Sequence, residues 1–343
     1  MSLSLSVLDL APVSSGSTAA QALRNTLELA RLADHLGYTR YWLAEHHNML
    51  GIASSSPEIV IGQVARETST IRVGSGGIML PNHAALKVTE SFLTLEAFFP
   101  GRIDLGIGRA AGTDPRTALA LRRSRGPVGP DDFPEQLTDL FAFAGGQFQE
   151  GHPFRAVNAV PAGVAFPPVW LLGSSDYSAR LAAERGLGFV FAHHINPYGT
   201  SEAMRIYHQN FVPNSAMAAS RAIVTVSAIC AESQAQAEEL ASSLDLAWLR
   251  LHRGQPGVFP SPAEARAYPY TGAERAQVAA DRARIVLGDP ASVRARLCAL
   301  SGETGVDEVM VTTIVHDHAA RLRSYELLAD AFQLPVRSQG HTK

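Results

Sequence analysis

Cysteine is nearly absent from this 343-residue chain: Cys230 and Cys298 stand 68 positions apart, with no Cys-x-x-Cys spacing. That excludes a disulfide framework and a thiolate metal site, and predicts two reduced core thiols. Charge is also scarce, at 18% of residues, with 29 basic against 32 acidic side chains and a formal net charge of −3. So small an imbalance cannot drive binding to nucleic acid or to an anionic membrane by bulk charge. Nowhere is there an uninterrupted apolar run of membrane-spanning length, and Met1–Val7 carries no basic residue ahead of its apolar part. Neither a membrane span nor a secretory leader is expected, and a cytoplasmic location follows. What is abundant is hydrophobic residues, at 46%. That is enough for a sizeable core and too much for a mainly disordered chain.

The hydrophobic pattern repeats. Leu3, Leu5 and Val7 alternate with serines ahead of Pro12, a strand signal ending at a proline-marked loop. Thr18 and Gln21 match a capping box, Ala22, Leu29, Ala33 and Leu36 share one helical face, and Gly37 supplies a stop. Further strands are predicted at Tyr38–Ala44, Ile71–Ile78 and Arg102–Gly108, with helices at Pro57–Thr68 and Leu86–Phe98 between them. Spacings near 33 residues suit parallel strands, because each crossover must return the chain to the same end of the sheet. Val169–Leu172, Gly188–Ala192, Ala222–Ile229 and Glu308–Thr313 bring the strands to eight. The fold class is therefore α/β, a (β/α)8 TIM barrel. One domain is expected over residues 1–335, with a C-terminal tail at 336–343. Length beyond the ~250 residues of a typical barrel is assigned to loop insertions at Gly126–Pro167, before strand five, and Arg250–Gly288, before strand eight. A doubly wound dinucleotide fold is the competitor. However, Gly106–Gly112 reads GxGxxxG instead of GxGxxG and closes a fourth strand, not a first.

Barrel chemistry sits past the C-terminal ends of the strands. Strand two runs into Glu45-His46-His47, of which one imidazole is expected to be functional and the other supporting. A metal reading would join these residues to His316 and His318, but the helical HExxH spacing is absent and no metal is expected. His83, His193 and His194 are further candidates at the pocket, each equally open to a structural role. Strand three carries Gly74, Gly76 and Gly77 around Ser75, so either a flat or bulky group approaches the backbone there or the strand bends. Strand five ends Gly173-Ser174-Ser175-Asp176-Tyr177-Ser178. This places free backbone N–H groups and hydroxyls at a helix start, which suits a phosphate, although serine is also an ordinary N-cap. Arg109, past strand four, adds a two-pronged cation suited to one phosphomonoester, while Asp176 would oppose that anion unless it points away.

Taken together, Trp42–Ser56, Val73–His83, Pro100–Thr117, Leu172–Ala183 and Asp307–Thr313 resemble the bacterial luciferase-like flavin-dependent monooxygenases, in particular their single-chain "luciferase family oxidoreductase, group 1" branch. The resemblance implies FMN, used in reduced form with O2 as cosubstrate, and a small organic substrate. It also implies His46 as the catalytic histidine and a non-prolyl cis peptide at Gly76-Gly77 beside the flavin ring. Arg109, Ser175 and Ser178 would hold the phosphate, with Ser174, Gly173 and Ser75 beside the cofactor, and Glu45, His47, His83, His193 and His194 would lie around the substrate. The chain departs from the branch pattern at His193, where a small residue is common, and at Ala85, where proline is common. With no nicotinamide fingerprint, a separate NAD(P)H:flavin reductase is the expected partner, and a homodimer the expected assembly. A deazaflavin-dependent oxidoreductase on the same fold, or a non-catalytic flavin-binding protein, are the alternatives.

Overall fold

The computed structural model describes residues 3–122 and 132–337. Thr18 caps the first helix by accepting from the Gln21 N–H, though Gln21 does not close the reciprocal half of the box, turning to Asn25 and Arg24 instead. In chain order the first units are β1 (Ser4–Asp9), α1 (Ala19–His35), β2 (Arg40–Leu43), α2 (Pro57–Glu67), β3 (Arg72–Ser75), β4 (Ile78–Met79) and α3 (Ala85–Phe98). They are followed by β5 (Ile103–Gly108), α4 (Pro115–Leu121), α5 (Phe133–Gly145), β6 (Val169–Gly173), α6 (Asp176–Glu184), β7 (Gly188–Ala192) and α7 (Thr200–Asn210). The last are β8 (Ala222–Cys230), α8 (Gln234–His252), α9 (Pro262–Ala267), α10 (Gly272–Arg282), β9 (Ile285–Gly288), α11 (Pro290–Thr304), β10 (Glu308–Thr312) and α12 (His318–Phe332).

All strand pairings in the sheet are parallel, and β10 pairs with both β1 and β8, which closes the ring. Eight staves make the barrel, the third being β3 and β4 together. Period-two alternation then sorts the side chains. Val7, Leu43, Val73, Leu105, Leu171, Phe191, Val224 and Val311 face out and are buried in one core with the helices. Leu8, Trp42, Trp170, Val190, Ile223 and Met310 fill the lumen, where the two indoles meet edge to face at 5.8 Å. Below them, at the strand starts, Asp104 takes hydrogen bonds from Arg40 (2.7 Å), Arg72 (2.6 Å) and Trp42 (3.2 Å), and Glu308 takes one from Arg40 (2.9 Å). This floor of satisfied charge closes the N-terminal end, leaving the C-terminal end open.

Several expectations are corrected. The third strand is not continuous over Ile71–Ile78, since pairing stops at Ser75 and resumes at Ile78 across a cis Gly76-Gly77 peptide. Part of the glycine cluster serves the barrel itself. A Cβ at Gly74 would lie 2.9 Å from the Trp42 indole nitrogen and 2.8 Å from the Asp104 Cβ. Gly126–Pro167 is not all loop: within it Phe133–Gly145 is the helix that follows the fourth stave, while residues 126–131 lie outside the described residues. Arg250–Gly288 contains α9, α10 and β9, and β9 adds to the far end of β8 through Ser227–Cys230. Of the two thiols, Cys230 is buried as expected, but Cys298 is exposed on α11. Of the tail at 336–343, residues 338–343 lie outside the described residues. Among the described residues no helix is long and apolar enough to cross a membrane.

Candidate active site

A cavity of about 520 Å³ opens at the C-terminal ends of the strands, within the ~300–1,000 Å³ usual for small-molecule sites. Its wall includes His46, Gly76, Gly77, Arg109, Gly173, Ser174, Ser175, Ser178 and His194. These come from five staves far apart in sequence, brought together by barrel closure.

Arg109 follows β5 directly, and its guanidinium lies 4.1 Å from the centre of the Tyr177 ring on the first turn of α6. This cation–π stack sets the cation beside the α6 N-terminus. Sequence reasoning missed Tyr177, although its place in the first turn of α6 beside the serines was a signal. Ser175 occupies the N-cap position, but its hydroxyl makes no cap hydrogen bond. Hydroxyl and first-turn N–H groups are thus left for an anion. Gly173 is required here, because a Cβ would overlap Ser178. Asp176 points away from the cradle, exposed and 3.4 Å from Arg180. Among the described residues no carboxylate forms an ion pair with Arg109.

β2 ends at Leu43, so the residues that follow are free of strict alternation. His46 reaches the cavity wall, held through its backbone N–H to the Ser54 carbonyl (3.0 Å), and its buried Nδ1 has no hydrogen-bond partner. Burial lowers its pKa from the ordinary value against the pull of Glu45, so the neutral ring is favoured. Glu45 does not orient His46. It is fully buried behind the wall, accepting from His83 (2.9 Å), His47 (2.9 Å) and the Met79 N–H (2.9 Å). Burial alone would raise the Glu45 pKa. The His83 bond and charge, the Met79 N–H and His47 outweigh that and hold it below its usual range. His83 is shifted up in return, the Glu45 bond and charge overcoming burial. Glu45, His47 and His83 therefore form a hydrogen-bonded cluster that fixes the β2 and β4 ends, and none of the three reaches the cavity wall.

After β7 the two histidines part. His193 turns from the cavity to Thr200 Oγ1 (2.8 Å). His194 lines it, and its Nδ1 lies 3.2 Å from the Thr225 carbonyl. A carbonyl can only accept, so Nδ1 carries the proton. Burial pushes the His194 pKa down to about 4, which the Thr225 bond only partly opposes. Its Nε2 is consequently an acceptor at neutral pH. Ser75 is likewise off the wall: its Oγ donates to the Gly106 carbonyl (2.8 Å) and accepts from the Gly106 N–H (3.0 Å), stitching β3 to β5. Of the histidines that a metal reading would recruit, His316 Nε2 lies 3.0 Å from the Ser15 carbonyl oxygen and His318 Nε2 lies 3.2 Å from the Glu28 carboxylate.

The opposite wall is one that sequence reasoning did not find. Leu244, Ala247, Trp248 and Leu251 of α8 line the cavity with His252, Pro256, Phe259, Asp281 and Arg284. Their i, i+3, i+4, i+7 spacing along α8 was the available signal.

A cation beside a helix start, a glycine backbone wall and a neutral histidine share one barrel mouth, and the luciferase-like monooxygenase family model matches residues 3–308. The chain belongs to this family. A "luciferase-like monooxygenase" of Escherichia coli (strain K12) is 44% identical over 329 residues, covering 96% of each chain. An N-acetyl-S-alkylcysteine monooxygenase of Bacillus subtilis (strain 168) is 34% identical over 330 residues, covering 95% of this chain and 97% of the relative. The crystal structure of apo-MsnO8 superposes with a TM-score of 0.89 at 40% identity, covering 98% of this chain and 100% of that one. Two further solved structures share the fold alone and hold different cofactors. The oxygenating constituent of 3,6-diketocamphane monooxygenase, from the CAM plasmid of Pseudomonas putida, is in complex with FMN (TM-score 0.70, 18% identity, covering 99% of this chain and 100% of that one). An F420-dependent secondary alcohol dehydrogenase holds an F420-acetone adduct (TM-score 0.70, 14% identity, 98% and 100% coverage). The family supports a monooxygenase or, more broadly, an oxidoreductase.

Proposed function

We propose that the protein is an FMN-dependent monooxygenase that uses reduced flavin and O2 to oxygenate a small organic substrate, the reduced flavin coming from a separate NAD(P)H:flavin reductase. The observation that carries this is the cradle of Arg109, Tyr177 and the α6 N-terminus. One guanidinium, two serine hydroxyls and one helix start match a single phosphomonoester, and a polyanionic deazaflavin tail would call for more cations. Arg109, Ser175 and Ser178 would hold the phosphate and Gly76-Gly77 would flank the ring. The bound flavin supplies the redox chemistry with oxygen. His46, buried and neutral beside that ring, would hold or deliver a proton at its unpartnered Nδ1. Leu8, Met310 and the α8 face exclude water from the cavity.

Titration with FMN, riboflavin and F420 tests the reading. Arg109→Ala should weaken FMN binding about ten- to a hundredfold, the range of a bond to a charged group, and leave riboflavin nearly unchanged. Equal losses for FMN and riboflavin, or tight binding of F420 alone, would overturn it. Rapid bleaching of bound FMN by NADPH without a reductase would overturn the two-component part.

A further inference from the structure

We propose that the part of the cavity walled by α8 and α10 is a carboxylate-selective substrate subsite, in which Arg284 takes the anionic end of a molecule whose apolar body lies on Trp248. That the ligand is a substrate rests on the monooxygenase reading, whereas the geometry of the subsite is independent of the flavin.

The charged side chains on the cavity wall are Arg109, Arg284 and Asp281. Arg109 is accounted for at the phosphate cradle, which leaves Arg284 as the cation on the opposite side. Arg284 immediately precedes β9, and its backbone N–H bonds the Asp281 carbonyl (3.1 Å), which brings both residues to the rim. Asp281 is buried, and its Oδ2 accepts from His252 Nε2 (3.0 Å) and from Gln277 Nε2 (3.1 Å). Its other oxygen lies 3.9 Å from Arg284 Nη2, close enough to orient the guanidinium and too far for a hydrogen bond. Among the described residues no group accepts a hydrogen bond from the Arg284 guanidinium. A forked donor therefore stands on the cavity wall with its N–H groups free, while the carboxylate behind it is directed to His252 and Gln277. That geometry suits a planar carboxylate bound two-pronged.

The neighbouring surface is apolar. Leu244, Ala247, Trp248 and Leu251 present one face of α8 to the cavity, with Pro256 and Phe259 beside them. A ligand meeting both features carries an alkyl or aryl body and a single carboxylate. A neutral ligand of the same shape would leave the guanidinium in water and gain only the apolar contact.

Calorimetric titration of the full-length protein with octanoate and with octanamide, which share a chain and differ in charge, tests the subsite with or without FMN. Octanoate should bind at least about tenfold more tightly than octanamide, the low end for a bond to a charged group. Arg284→Gln should erase that preference while leaving FMN affinity unchanged, and Arg284→Lys should retain part of it. Trp248→Ala should weaken both probes alike. Equal binding of the two probes to the unaltered protein, or a preference that survives Arg284→Gln and disappears in Arg109→Gln, would overturn the proposal. A preference controlled by Arg284 in a protein that fails to bind FMN would uphold the subsite and remove only the flavin reading.

Discussion

The two walls of the cavity are made differently. The strand-end wall, from His46 round to His194, is anchored to a closed ring in which each stave is paired on both sides and backed by side chains with no exposure at all, such as Val73, Leu105 and Phe191. The α8–α10 wall is tied down by polar side-chain pairs: Arg282 to Asp245 (2.7 Å), His252 to Asp281 (3.0 Å), Arg253 to Glu274 and Arg266 to Glu239. Of these, Arg266 to Glu239 is exposed and contributes only about 0–1 kcal/mol, whereas Asp245, Glu274 and Asp281 are buried acceptors reached by partly exposed donors, and a small apolar seam of Leu244, Phe259, Ile285 and Val315 adds to them. The comparison suggests a division of labour. A stiff wall suits a cofactor whose position must not vary, and a wall of separately braced helices can change side chains without disturbing the ring.

The largest effect should come from the barrel floor. Asp104→Ala leaves Arg40 without its main buried counter-charge and should cost about 3–5 kcal/mol in chemical denaturation. A loss below about 1 kcal/mol would mean the ring is not the stiff element. Next is the pH dependence set by His194. Its folded-state pKa of about 4 lies below the ordinary 6.5, so the unfolded chain takes up a proton that the native chain does not. The stability it supplies is complete above pH 6.5 and falls as pH drops towards 4, at up to ~1.4 kcal/mol per pH unit. In His194→Gln this stretch of the stability-against-pH curve should flatten, and an unchanged slope would show that the ring titrates freely in the cavity. His46→Ala, under the proposed function, should cut product formed per bound FMN at least ~100-fold with FMN affinity within a few-fold of the unaltered protein. Normal product yield would reduce His46 to a packing residue. Last is Arg282→Ala, which leaves the buried Asp245 carboxylate without its guanidinium and is expected to cost about 1.5–3 kcal/mol and to speed hydrogen exchange in α8 and α10 while leaving the barrel strands protected. Equal acceleration in both regions would abolish the distinction between the walls.

Legibility in the sequence follows the same division. The staves and their order could be read because alternation and helical periodicity are local signals, and the hydroxyl-rich cavity wall from Gly173 to Ser178 could be read because it is one contiguous stretch at a strand end. The interruption of the third stave was half legible. Its glycines announced an irregularity, but Gly74 answers to Trp42 and Asp104, residues 32 and 30 positions away. The Glu45-His46-His47 triplet was legible as a cluster of functional groups and not as a division of roles, since His83 and the Met79 N–H decide where the carboxylate turns.

The sequence by itself determined the eight-fold repeat, the end of the barrel at which the cavity opens and the residue types at the start of α6, because each depends on neighbours within a turn, a strand or a loop. Only the tertiary structure decided that Tyr177 holds Arg109, that His194 faces the cavity while His193 leaves it, and that the stretch around Arg250–Gly288 supplies the second wall. Those outcomes depend on which side chains ring closure brings within a few ångströms, and contacts between residues tens to hundreds of positions apart leave no periodic trace along the chain.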